Sequence, residues 1–286
     1  MTARMTPKHD ALEQARRKLA AAPADLRFAV LFTPRGQREA LTALFAVYVE
    51  IREILRECSD AGVAQAKLAW WRKEISLLGE RKPRHPLSLN LLATSEKRVL
   101  PIQPFLDIIE SVRADIAVPS FPHFADVERH CHRRGGALVE LAALLRGAQQ
   151  QTTLDAAHRL GAAWQLADIV AQGAVYAEHR RVYFAADDLR KHGVDRHIGG
   201  DVHTDTGLKM LLADYAQRAR ALRDAATAGI TAERRMLCSG WILNGLAEAR
   251  LKKITRPDYK PGGAPVELRP LAALTTAWRS ARAATR

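Results

Sequence analysis

The 286 residues are 48% apolar and carry 44 lysines and arginines against 31 aspartates and glutamates, for a net charge of +13. That length and apolar content suit one large core, and the basic balance favours acidic partners such as diphosphates or anionic lipid. The basic residues are scattered, which argues against nucleic acid; the three cysteines, Cys58, Cys131 and Cys238, are too few and too widely spaced for a disulfide frame, and no apolar window is long enough to span a bilayer.

Residues Met1 to Asp10 are polar and lack the apolar core of a secretory signal, so the expected location is cytoplasmic, with the inner membrane surface as a candidate contact. Apolar residues then recur at three- and four-residue intervals through most of the chain, and Val/Ile/Thr alternation is absent, so the reading is all-α. The spacing predicts helices at about 9–22, 25–33, 35–58, 60–80, 102–116, 124–147, 152–178, 205–228, 231–253 and 268–283. Pro34-Arg35-Gly36 separates the second from the third, Lys82 to Pro86 ends the fourth, and Pro101 and Pro104 open the next. Residues 1–24 are expected to be an N-terminal helical extension and 254–266, with Pro257, Pro261, Gly262 and Gly263, a mobile loop. No repeat or linker divides the chain, so residues 1–286 are expected to form a single domain.

Two of these helices carry polar side chains where an apolar face is expected. At about 100° per residue, Leu41, Phe45, Tyr48, Val49 and Leu55 share one arc of the third helix, and Arg52 and Arg56 fall inside it. Glu50, Glu53 and Glu57 form a separate stripe with Glu39, about 100° away, and are expected to face solvent. In the seventh predicted helix Gly161, Gln165, Asp168, Gln172 and Tyr176 lie within about 80° of one another. Asp168 is the only carboxylate on that stripe. It is placed to pair with Arg52 or Arg56 across a cavity, either closing a disused pocket or receiving a polar headgroup.

These frames resemble the squalene and phytoene synthases, an all-helical family of isoprenoid synthases. Pro34-Arg35, Arg38-Glu39-Ala40 and Ala43-Leu44-Phe45-Ala46 follow the family's Leu-Pro-x-x-x-Arg-x-Ala frame, Cys131 with Gly135-Gly136 echoes its Tyr-Cys-x-x-x-Ala-Gly turn, and Trp70-Trp71-Arg72 and Gln165-Leu166 follow in the right order. The resemblance covers roughly residues 25–283 and implies a helical bundle around a central cavity. It also implies two aspartate-rich motifs, Asp-Asp-x-x-Asp-Glu and Asn-Ile-Leu-Arg-Asp-x-x-x-Asp, whose carboxylates hold magnesium on a prenyl diphosphate. Here the first reads Arg52, Glu53, Arg56, Glu57 and the second Asp168, Gln172, Tyr176. The family's Ser-Phe-Tyr before the first motif is Asp25-Leu26-Arg27, while Arg180-Arg181 and Tyr183 keep the basic run after the second.

Magnesium takes hard oxygen ligands in near-octahedral geometry, so two guanidiniums, an amide and a phenol in place of four aspartates should not assemble a cluster, and no metal site is expected. Catalytic residues are therefore not assigned. The expected ligand-binding set is Arg38, Tyr48, Arg52, Arg56, Gln165, Asp168, Gln172, Tyr176 and Arg181, because arginine forks bind phosphate without a metal. The expected partner is a prenyl diphosphate or prenyl lipid, or a membrane protein in the manner of the family's non-catalytic assembly branch. The alternative is an active prenyltransferase on farnesyl or geranylgeranyl diphosphate, with magnesium held by Asp168 and the glutamates near Arg52 after a shift in helix register. His130-Cys131-His132 looks like a metal cluster, but residues two apart face different sides of a helix. Of Trp70-Trp71, one is expected to face the core and the other to cap it, and the arginines from Trp278 to Arg286 are placed either to touch acidic lipid or to fray into solvent.

Overall fold

The computed structural model describes residues 7–95, 98, 100–117, 121–178, 181–194, 206–230, 233–261 and 265–285. Among these the chain is helical, without strands: α1 (Pro7–Ala21), α2 (Ala24–Leu31), α3 (Arg35–Glu57), α4 (Ala61–Gly79), α5 (Pro86–Thr94), α6 (Gln103–Ile116), α7 (Phe124–Cys131), α8 (Ala137–Arg146), α9 (Gln151–Glu178), α10 (Ala186–Lys191), α11 (Thr206–Thr227), α12 (Cys238–Ile254) and α13 (Pro270–Ala284). None of them is long and apolar enough to cross a membrane.

Two helices form the centre. Residues 40–49 of α3 and 160–171 of α9 are buried on every side, as expected of helices that are apolar all round. The others wrap them: α1 and α5 lie on α3, α4 on α6, and α8, α11 and α12 on α9. The N-terminal helix α1 thus packs onto the bundle.

The predicted helix at 124–147 is three pieces, α7, a π-turn at His132–Gly136, and α8. Here the chain meets α9 backbone against backbone. A methyl group on Gly135 would stand 2.2 Å from the Gly161 carbonyl oxygen, so only glycine permits the approach. Arg134, in the same wide turn, is buried and reaches α6.

Short elements escaped the sequence pattern. Pro86, expected to stop a helix, instead opens α5 at its first position, with the His85 side chain accepting from Leu87 N–H. Glu74, buried on α4, accepts the backbone N–H groups of Arg84 and His85 at 2.9 and 2.8 Å and so fixes the turn between α4 and α5. Trp71 is buried and Trp70 exposed, their rings meeting edge to face.

Candidate functional site

Between α2, α3, α9 and the ends of α12 and α13 lies a cavity of about 1110 Å³. α3 contributes Val49, Arg52, Glu53 and Arg56, and α9 contributes Trp164, Asp168, Ala171 and Gln172. The two polar stripes therefore face the same space.

Its inner end is charged. Asp115 of α6 accepts from Arg134 Nη2 at 2.5 Å and from the Tyr183 hydroxyl at 2.7 Å, and Arg134 also donates to Ser111 Oγ and to the Ser111 carbonyl. Burial and then the Asp115 carboxylate push the Tyr183 phenol above its usual range. Burial works against the Arg134 cation, yet Asp115 more than offsets it and the guanidinium stays charged. His130 stands 3.8 Å from the other Asp115 oxygen, and burial, reinforced by Arg134, pushes its imidazole down to about 3. Asp115 sits in line with Ile108 and Val112 on the buried face of α6. A carboxylate at an apolar position was the signal in the sequence for this cluster.

Farther out, Asp25 of α2 pairs with Arg250 of α12 and accepts from Trp164 Nε1 at 3.5 Å. Arg250 is held cationic against burial by Asp25 first and by Asp168 second. Asp168 accepts from the Gln172 amide. An arginine whose charge couples to Asp168 thus comes from α12, a helix to which the sequence spacing gave no role. Arg52 lies 5.4 Å from the Tyr48 ring centroid, a cation–π contact, and Arg181 donates to the Leu55 carbonyl at 3.3 Å, tying the end of α3 to the cavity wall.

The glutamate stripe is a correction. Glu57 faces solvent, but Glu53 lines the cavity edge. Lys18 of α1 holds Glu50 and Glu53 together, at 2.5 and 2.6 Å, and Arg56 closes on Glu53 at 2.9 Å. The physical reason is that α1 packs against α3, so this face meets another helix instead of water. Arg56 itself is a rim residue, its side chain 72% exposed.

Three more of the expected ligand residues lie elsewhere. Arg38 donates to the carbonyls of Thr33 and Leu31, capping the end of α2, where free carbonyls attract a cation. Tyr48 and Gln165 are buried behind the cavity wall. The Tyr176 side chain and Arg180 lie outside the described residues. Arg52, Arg56, Asp168, Gln172 and Arg181 line the cavity, together with the altered pair Asp25 and Arg27. The lining holds six arginines, at 27, 52, 56, 134, 181 and 250, against five carboxylates, at 25, 53, 115, 168 and 267.

A family model for squalene/phytoene synthase matches residues 19–272. The chain belongs to that family. Phytoene synthase 1 of Arabidopsis thaliana is 28% identical over 212 residues, 71% of this chain and 49% of the relative, and phytoene synthase 2 of Solanum lycopersicum 26% identical over 71% and 67%. The chain thus spans about half the length of the Arabidopsis relative. A dehydrosqualene synthase crystal structure covers 98% of this chain and is itself covered to 99%, with a TM-score of 0.81 at 17% identity; squalene synthase HpnC of Alicyclobacillus acidocaldarius gives 0.75 over 89% and 97% at 20% identity. Both likenesses establish the all-α isoprenoid synthase fold.

Measured against the squalene/phytoene synthase motifs, the donor set does not fit a magnesium cluster. Asp25 is bound to Arg250, Glu53 to Lys18 and Arg56, Asp115 to Arg134 and Tyr183, and Asp168 to Gln172. Among the described residues no three His, Cys, Asp or Glu side chains converge as a metal site. Arg56, Arg134 and Arg250 are paired with the cavity's own carboxylates.

Proposed function

We propose that this member of the squalene/phytoene synthase family binds the anionic head of a prenyl diphosphate or related prenyl lipid without metal, and does not carry out magnesium-dependent head-to-head condensation. It serves as a binding or assembly protein. The carrying observation is that the cavity wall presents Arg52, Arg56 and Gln172 where the family motifs have carboxylates, while Asp25, Glu53 and Asp115 are tied to cations and Asp168 to an amide, and the fifth lining carboxylate, Glu267, is exposed. Guanidinium forks bind phosphate oxygens directly. Departure of diphosphate is another matter, because metal ions neutralise a developing charge that a pair of fixed arginines offsets less completely.

One observation favours the alternative, an active prenyltransferase: Glu53 lies at the cavity edge on the same helix as Arg52. Its two ion pairs argue against recruitment to a metal.

The test has two arms. Purified protein is incubated with farnesyl or geranylgeranyl diphosphate, with magnesium or manganese and NADPH, and diphosphate release and C30 or C40 products are assayed; none is expected. Metal-dependent turnover that disappears in Asp168→Asn would overturn the reading. Separately, prenyl diphosphate in EDTA should raise the thermal midpoint, corresponding to about 2.7 kcal/mol at 100 times the dissociation constant. Arg52→Ala combined with Arg56→Ala should remove that rise.

A further inference from the structure

α13 is assembled the wrong way round for a helix whose only neighbour is protein. The face it lays on the bundle is small: Ala273, Ala277 and Ala284 are its buried residues, and a methyl group on Gly245 of α12 would stand 1.9 Å from Ser280 Oγ. Its large apolar side chains point away. Leu271 is 77% exposed, Trp278 47% and Leu274 39%. With Arg282 they fall within about 80° of one another around the helix, a stripe roughly three turns long. Moving exposed leucine and tryptophan surface into an apolar medium is favourable, so a stripe of three left in contact with water is a surface awaiting a second phase.

The charge on the helix says which phase. From Pro270 to Ala284 there is no aspartate or glutamate, while Arg279 and Arg282 are exposed along it and exposed Arg269 caps its start. The Arg282 guanidinium sits 4.9 Å from the Trp278 ring centroid, so the aromatic ring and the cation are presented together. A second copy of this chain, with a net charge of +13, would bring like arginines face to face along a single-helix seam. An anionic bilayer offers the complement to both halves: an acyl boundary for the stripe and phosphates for the arginines. Trp beside Arg is also suited to the headgroup layer, where one end of the side-chain pair is apolar and the other wet.

The start of α13 borders the cavity with its inward side, so the stripe faces outward beside it. Pro270 and Ala273 of α13 line the cavity, as does Leu31 of α2, which is 45% exposed on a helix packed against α13. We infer that α13 docks this protein on an anionic membrane surface, with Leu271, Leu274 and Trp278 entering the headgroup–acyl boundary, Arg279 and Arg282 on lipid phosphates, and the cavity mouth set against the bilayer. The inference stands on α13 itself and does not depend on what the cavity holds.

Co-sedimentation of the full chain with vesicles tests it, using phosphatidylcholine alone and a mixture of phosphatidylcholine with phosphatidylglycerol. The protein should pellet with the mixture, weakly or not at all with phosphatidylcholine, and less as salt is raised. Arg279→Ser and Arg282→Ser should each weaken partition by about fivefold. Leu271→Ser with Trp278→Ser should abolish it while leaving far-UV circular dichroism unchanged and lowering the melting temperature only slightly, because Leu271 is mostly and Trp278 about half exposed. Failure to pellet with the mixture, equal pelleting with both vesicles, or binding indifferent to all four substitutions would overturn the inference. So would a dimer in analytical ultracentrifugation that the Leu271/Trp278 variant dissociates, since that assigns the stripe to a second copy.

Discussion

Arg250 of α12 closes on Asp25 of α2 in the cavity wall, joining a part-buried guanidinium to a buried carboxylate 225 positions away in the chain. Asp25 also takes the Trp164 indole N–H, so one carboxylate ties α2, α9 and α12 together where the cavity needs a fixed rim.

The two halves of that pair should behave unequally when removed. Arg250→Leu strands a buried carboxylate and should cost about 3–5 kcal/mol, whereas Asp25→Leu combined with Arg250→Leu should recover much of the loss because both desolvated charges disappear together. Urea denaturation of the wild type and the two variants measures this. Equal losses in the single and double variants would mean that the pair does not hold the wall.

Gly161→Ala should be among the most damaging small substitutions in the chain. Its new methyl group would lie 2.0 Å from the Gly135 carbonyl oxygen, and that atom belongs to backbone buried in the π-turn. Relief requires α9 to move off the turn, and overpacking of this kind costs roughly 1–3 kcal/mol or more. A drop in melting temperature and in soluble yield is expected, compared with Gly36→Ala, where nothing lies within 4 Å of the added methyl.

The parts of this fold legible in the sequence are those set by periodicity along one helix. Residues 40–49 and 160–171 are apolar enough to be read as central helices, and the spacing of Arg52, Asp168 and Gln172 puts them on cavity-facing stripes. What periodicity cannot see is the neighbour. Glu53 was read as solvent-facing because nothing in α3 announces Lys18, and Arg38 was read as ligand-binding because nothing in α3 announces the carbonyls ending α2. The pairing of Asp25 with Arg250 obeys no spacing rule at all. α5 was missed because Pro83 and Pro86 read as breakers, and α10 because six residues are too few to establish a helical period; the π-turn was missed because its own residues, His-Arg-Arg-Gly-Gly, carry no apolar spacing that would betray a wider turn between the apolar stretches on either side.

Lys18→Met should loosen α1 without unfolding the core. Its ammonium bridges Glu50 and Glu53, and although burial lowers the lysine's proton affinity, hydrogen bonds to the two carboxylates raise it by more. Removing it leaves two like charges side by side on a partly buried face, a loss of about 1–2 kcal/mol. Hydrogen exchange should accelerate at residues 10–21 and in the Ala21–Ala24 stretch that lines the cavity, with α9 unaffected. Uniform acceleration across the protein would show instead that α1 and the core open as one unit.

Acid stability should depend on His130. Its imidazole is buried between Asp115 of α6, Arg134 and Arg133 of the π-turn, and the rings of Phe121 and Tyr183, and burial holds its pKa at about 3 against an ordinary 6.5. The folded state therefore keeps it neutral while the unfolded chain takes up a proton as pH falls below 6.5. The resulting stability is fully present above pH 6.5 and is lost progressively down to about pH 3, where the folded state can also accept the proton. His130→Phe preserves an aromatic ring against Phe121 and Tyr183 and removes the titration, so its denaturation midpoint should fall less steeply than wild type between pH 6.5 and pH 4. Parallel slopes for the two proteins in that window would show that the loss belongs to the carboxylates, and that the imidazole accepts its proton without leaving the cluster.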